Sequence, residues 1–167
     1  MKKISFNHQY PAVTLIELLL VMAILPLLLI VVSQMFGTFM DSQERAMAQA
    51  AINQEQQYLL DKIAYDIDQS SAIVLPAADA ATGSALRLQQ GASTVDYAPS
   101  AVTLIRSSTA GSAPVTSTRV LLNAFTVRHF SNGNGKDSVS IGFALASTAS
   151  ARLGMTSRTV NTTFTLR

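Results

Sequence analysis

The chain contains no cysteine, which excludes a disulfide framework, a thiol nucleophile and a zinc knuckle. Charge is scarce as well: 13% of its 167 residues are Asp, Glu, Lys or Arg, against 49% hydrophobic. That balance is too apolar for a disordered chain, and the length suits one modest domain. Beyond the Lys2–Lys3 pair the basic residues are scattered singly. The electrostatic stripe of a nucleic-acid binder is therefore missing, and nothing points to a nucleic-acid partner. Histidine is limited to His8 and His129, and a metal ligand needs company; His129 reads as a surface or edge residue. No phosphate loop and no nucleophile elbow is present, and any Ser–His–Asp grouping would be arbitrary. Asp61, Asp66 and Asp68 lack the Gly-containing, oxygen-rich loop of a calcium site and read as a solvated helix face. Tyr58 and Tyr65 read as core packing. No cofactor, no metal and no catalytic residue is expected, and the chain is not read as an enzyme.

What the sequence does have is one long greasy block. Residues 12–32 read "AVTLIELLLVMAILPLLLIVV", and from Leu18 to Val32 no side chain is polar. At about 1.5 Å per residue a helix over 13–40 crosses a hydrocarbon core of roughly 30 Å with some tilt. Lys2 and Lys3 stay cytoplasmic by the positive-inside tendency, which puts the bulk of the chain on the outer face. A cleaved secretory signal fits poorly, because the block exceeds a usual apolar region of roughly 7–15 residues and no small-x-small site follows it promptly.

Glu17 is the oddity in this block. A carboxylate inside a span costs at least a few kcal/mol. Near a helix N-terminus it complements the positive end of the macrodipole. A cut between Ala12 and Val13 would place a new ammonium group at Val13, one helical turn from Glu17. In a bundle of such helices, Glu17 of one chain could meet the terminal ammonium of another. The charge would then set register and reward assembly, the best-attested use of buried ionic groups.

The segment "VTLIELLLVMAIL" behind a short basic leader resembles the prepilin-type signal of type IV pilins and type II secretion pseudopilins. The resemblance covers residues 12–32 directly and the layout of the whole chain in general. It implies that a membrane prepilin peptidase removes residues 1–12, cutting between Ala12 and Val13, and N-methylates Val13. It implies partners too: other pilin-like subunits through the N-terminal helix, the peptidase, membrane lipid, and an assembly platform in the inner membrane. Ala12 stands where the family usually has Gly, and Val13 where it usually has Phe. Pro26 stands where many major pilins have Gly, and the family's usual later proline has no counterpart. These departures favour a minor subunit.

Pro26 removes one helical hydrogen bond and crowds the carbonyl of Met22, so a kink or loosening is expected there. Two roles stay open for it: a bend that helps filament packing, or a neutral kink.

Residues 41–70 contain no Gly or Pro and carry Ile52, Leu59, Ile63 and Ile67 near helical spacing, widened by Leu60 and Ala64. They read as the amphipathic continuation of the same helix, roughly 85 Å long if unbroken from Val13 to Ser70. After Ser71 short alternating runs take over. "ALRLQQG" and "STVDYAP" read as a hairpin around Gly91, "AVTLIRSS" as a strand, and "SAPVTSTRVLLNAFTVRHF" as one or two. "NGNG" is a turn signal. "SVSIGFALA" puts Val139, Ile141, Phe143 and Leu145 on one face, and "TVNTTFTL" does so with Val160, Phe164 and Leu166. "PAADAATGS", "SSTAGSAPVTS" and "ASTASARLGMTS" read as surface loops.

The expected fold is α+β: a leader (1–12), a transmembrane helix (13–40), its amphipathic extension (41–70), and a small antiparallel β headpiece (71–167) packed on that extension, as in the pilin ladle. The expected role is a structural subunit of a pilus or pseudopilus, seated first in the cytoplasmic membrane with its C-terminal domain outside and then in a surface or periplasmic filament. The competing reading is an uncleaved single-pass anchor bearing a β binding module.

Overall fold

The computed structural model describes residues 14–133, 136–148 and 156–166. The leader, the Ala12–Val13 bond and half of the "NGNG" turn lie outside them. A helix, α1 (Leu15–Asp68), opens the fold, and the chain divides into two compact units, Met1–Ser42 and Gln43–Arg167. The first unit, within the described residues, is helix alone. Pro26 and Gly37 lie inside it, and the helix runs through both without a break.

In the second unit the helix buries Ala48, Ile52, Leu59, Ile63 and Ile67. Their spacings of four and seven residues put them on one face, as a 3.6-residue period requires. The last turn is closed by side chains. The carbonyl of Asp66 accepts from Ser70 Oγ at 2.5 Å and from Gln90 Nε2 at 2.9 Å, which satisfies an acceptor that the ending helix leaves without a partner.

The strands form two antiparallel sheets rather than one. The first has the order β1 (Ala72–Leu75), β3 (Leu86–Gln90), β4 (Ser93–Ser100), β5 (Thr103–Ser108), β6 (Gly111–Pro114). The second has the order β2 (Thr82–Gly83), β7 (Val120–Phe130), β8 (Ser138–Ser147), β9 (Ser157–Thr165). Side-chain alternation announces which face of a strand is buried but not which strand lies beside it, so the division into two sheets has no local signature. Two of the segments read as loops hold short strands: β2 inside "PAADAATGS" and β6 inside "SSTAGSAPVTS". Two and four small residues are too few to show a period.

Both sheets and the helical stripe meet in one core. Leu86, Leu88, Val95 and Tyr97 of the first sheet and Val127, Val139, Ile141, Phe143 and Leu145 of the second are at most 2% exposed. The expected face of β8 is thus fully buried. In β9, Val160 and Phe164 are half-buried against the core, and Leu166 beyond it is buried.

Two hairpins show why particular turn residues stand where they do. Gly91, first of the two residues between Gln90 and Ser93, has φ of 59°, a value that glycine adopts without a steric penalty. The next hairpin places Ala101 at φ of 53° between Ser100 and Thr103. An L-residue there costs about 1–2 kcal/mol. Ala101→Gly should therefore raise stability by about 0.5 kcal/mol once the extra freedom of an unfolded glycine is subtracted. A higher urea midpoint checks it; a lower one means that the turn carries no such strain.

Candidate functional site

Every residue from Thr14 to Met47 is exposed. Between Leu15 and Met40 nineteen large apolar side chains show 47–79% of their surface. A fully buried Leu, Ile or Phe gains about 1.5–3 kcal/mol, so this helix leaves tens of kcal/mol of burial to be found outside the chain. It is long and apolar enough to cross a membrane once. Over 15–40 it would measure about 39 Å, more than the roughly 30 Å of a hydrocarbon core.

Glu17 stands in the first turn of this helix, and Glu17 is the only charged residue between Thr14 and Met40. The turn is set by Thr14, whose carbonyl accepts the N–H of Glu17 at 3.0 Å and of Leu18 at 3.2 Å. The carboxylate lies where the helix dipole favours a negative charge, and among the described residues no basic side chain pairs with it. Pro26 is exposed in the middle of the span. Near its other end Thr38 turns its hydroxyl back onto the carbonyls of Gln34 and Met35 at 3.3 and 2.9 Å. That internal bond lets a hydroxyl sit in an apolar stretch without an unsatisfied donor. Gly37 has open space where a side chain would begin.

A second constellation, in the headpiece, overturns the reading of Asp66 as solvated. Asp66 is 1% exposed and binds Arg106 with both oxygens, Nε to Oδ2 at 2.6 Å and Nη2 to Oδ1 at 3.0 Å. Tyr97 donates its hydroxyl to the same Oδ2. Tyr97 and Arg106 face each other across β4 and β5, so one carboxylate joins helix to sheet through two neighbouring strands. Burial pushes the Asp66 carboxyl up. The Arg106 guanidinium, the Tyr97 hydroxyl and Lys62 together outweigh that and hold it below its ordinary value. Burial, then the bond to Asp66, pushes the Tyr97 hydroxyl up. Arg106 is raised, first by its bond to Asp66. The group is a charge-compensated clamp, with Arg106 partly exposed and lining an open surface cavity beside Tyr58 and Lys62.

His129 is likewise buried, at 4% exposure, rather than at a wet edge. Its Nε2 lies 3.2 Å from Asp137 Oδ2, and among the described residues Nδ1 has no hydrogen-bond partner. Asp137 is held below its ordinary value, chiefly by the Asn132 N–H, with burial opposing and His129 assisting. The two tyrosines read as core are outside it: Tyr58 is 54% and Tyr65 60% exposed. They sit on a flank of the stripe, with Lys62 lying over the Tyr65 ring at 5.5 Å. Among the described residues no group of three or more His, Asp or Glu is placed to hold a metal ion.

Of the residues singled out from sequence, the structure brings Glu17 and Pro26 onto one continuous exposed apolar helix. Ala12 and Val13 fall outside the described residues, as does His8. Sequence reasoning missed Arg106, Tyr97 and the burial of Asp66. Asp66 lies three residues after Ile63 and seven after Leu59, which puts it on the apolar stripe and was the available signal. Comparison with protein-family models, with curated proteins and with solved structures gives no match.

Proposed function

We propose that this chain is a pilin-like structural subunit, a minor pilin or pseudopilin, trimmed between Ala12 and Val13 and built into a filament through its N-terminal helix. The observation that carries the reading is the uncovered apolar helix with a single carboxylate in its first turn. A lipid anchor alone accounts for the apolar surface but not for Glu17. A helix that leaves lipid for a bundle of like helices accounts for both, since the bundle buries residues 13–40 and supplies an ammonium group for the carboxylate. The resemblance of "TLIEL" and its basic leader to prepilin signals supports the same reading. The headpiece then faces outward and the protein is the substrate of a peptidase rather than an enzyme. Before assembly it sits in the inner membrane with Lys2 and Lys3 on the cytoplasmic side.

Mass spectrometry of protein extracted from membranes tests this. The expected chain begins at Val13 and carries a methyl group on its new α-amine. A functional protein that still begins at Met1 turns the reading to an uncleaved, single-pass anchored binding module.

A further inference from the structure

Where the helix meets the β5–β6 hairpin, the headpiece has an open cavity of about 330 Å³. Two cations line it, Lys62 from the helix and Arg106 from β5. Alternate residues of a strand share a face, so Arg106 and Ser108 lie on the same side of β5 as the buried Leu104. Opposite them in β6 stand Ala113 and Gly111. A methyl group and a hydrogen fill little of the room between sheet and helix, and the space exists for that reason. Ser112 lies on the other face, where its hydroxyl meets that of Ser107 at 2.9 Å. Tyr58, one turn before Lys62 on the helix, lines the cavity too.

Both cations are held in place with binding capacity to spare. Arg106 gives Asp66 its side-on fork, Nε and Nη2. A guanidinium has five N–H groups, so these bonds leave both on Nη1 and one on Nη2, the end-on fork that matches a second carboxylate. Lys62 is half-buried, with its ammonium over the Tyr65 ring at 5.5 Å. Among the described residues no carboxylate forms an ion pair with it. Glu55, two turns earlier on the helix, is turned instead to the Ser117 N–H at 2.7 Å. Asp66 cancels Arg106, so Lys62 leaves the site one positive charge in excess. The Ser108 hydroxyl reaches only the Gly111 carbonyl, at a long 3.5 Å, and can turn to a ligand oxygen.

We propose that this cavity binds a carboxylate. The ligand accepts from Nη1 and Nη2 of Arg106 and from Nζ of Lys62, with the Ser108 hydroxyl as a further donor. The planar fork of a guanidinium suits a planar carboxylate, and one excess charge matches a monoanion. Tyr58 and Ala113 offer apolar contact to a short stem behind the carboxylate. Because Asp66 and Tyr65 already fix the two cations, binding costs them little side-chain entropy. The carboxylate belongs either to a free small acid or to a Glu or Asp side chain of another protein, and the probes below separate the two. The site lies wholly in the headpiece, so the inference does not rest on how the N-terminal helix is anchored or assembled.

The test uses the full-length chain, isotope-labelled, in detergent micelles at low salt. Sodium acetate stands for the free acid and a capped Ala-Glu-Ala peptide for a protein side chain. Added to about 10 mM, both should shift the Arg106 Nε–H and Ser108 amide resonances saturably, the better probe half-saturating near about 1 mM. A capped Ala-Gln-Ala peptide should shift neither. Peptide binding at least about threefold tighter than acetate assigns the site to a protein side chain, and any smaller preference to a free acid. Lys62→Met keeps the apolar stem and removes the charge. It should weaken binding about tenfold or more and leave the unfolding temperature within about 4 °C. Ala113→Leu, which fills the floor without touching either cation, should abolish binding. The inference is overturned if neither probe gives a saturable shift, if the glutamine peptide shifts the same resonances equally, or if Lys62→Met binds as the native chain does. Half-saturation by inorganic phosphate well below both probes would overturn the choice of a carboxylate.

Discussion

Arg106→Met should lower the stability of the headpiece by about 3–4 kcal/mol at pH 7, the usual cost of removing one partner from a buried ion pair. The loss comes less from the arginine than from what it leaves behind. Asp66 stays 1% exposed, and its carboxylate then has only the Tyr97 hydroxyl and the Lys62 charge to set against burial. The sign of the pH dependence follows. In the native protein the Asp66 carboxyl is held below its ordinary value. Its contribution to stability is present above the unfolded carboxylate range and is lost as pH falls through the lowered folded value. In the variant, burial dominates and the folded value rises above the unfolded one. The variant then regains stability as pH falls toward about 4, so the gap from the native protein narrows. Asp66→Asn should cost less, about 1–2 kcal/mol, since Arg106 is partly exposed and can turn to water while Tyr97 keeps an acceptor. Urea unfolding of the detergent-solubilised chain at pH 7 and pH 4, followed by circular dichroism, measures both. An equal loss at the two pH values would show that Asp66 is not held as an anion.

Glu17→Val should leave membrane insertion intact and cut the amount of subunit recovered in sheared filaments by about tenfold or more. Removing a carboxylate from an apolar span makes insertion easier by a few kcal/mol, so a defect cannot come from the anchor. In the proposed bundle the same change would leave a terminal ammonium without its partner in a low-dielectric setting, where truncating one member of a charged pair costs about 3–5 kcal/mol. Glu17→Gln should be intermediate, since it keeps a hydrogen-bond acceptor without the charge. Quantitative immunoblots of the membrane and sheared fractions read both effects. Wild-type recovery of Glu17→Val in the filament fraction would remove the assembly role assigned to Glu17.

The helix and most strands were legible because their signals are local. A run from Leu18 to Val32 without a polar side chain, a four-and-seven spacing from Ile52 to Ile67, and alternation from Val139 to Leu145 each need only neighbouring residues. The Asp66 clamp was not legible as a whole, because its members are 31 and 40 residues apart in sequence and meet only through the register of β4 against β5. Three acidic residues at a helix end look solvated until their angular positions are compared with the stripe. His129 was misread for a related reason: a lone histidine carries no sign of the Asp137 loop folded over it. The exposure of Tyr58 and Tyr65 shows the opposite error, a helical spacing noticed without asking which side of the helix it marks.

The wide sequence separation of the core contacts also dictates the order in which the headpiece can be made. The helical stripe from Ile52 to Ile67 is synthesised first, yet Val139, Ile141, Phe143 and Leu145, which help to cover it, arrive more than seventy residues later. A chain made from its N-terminus thus carries an uncapped greasy flank until β8 has emerged. Truncation anywhere before that strand should leave part of this core uncovered, in a product prone to chaperone capture or proteolysis.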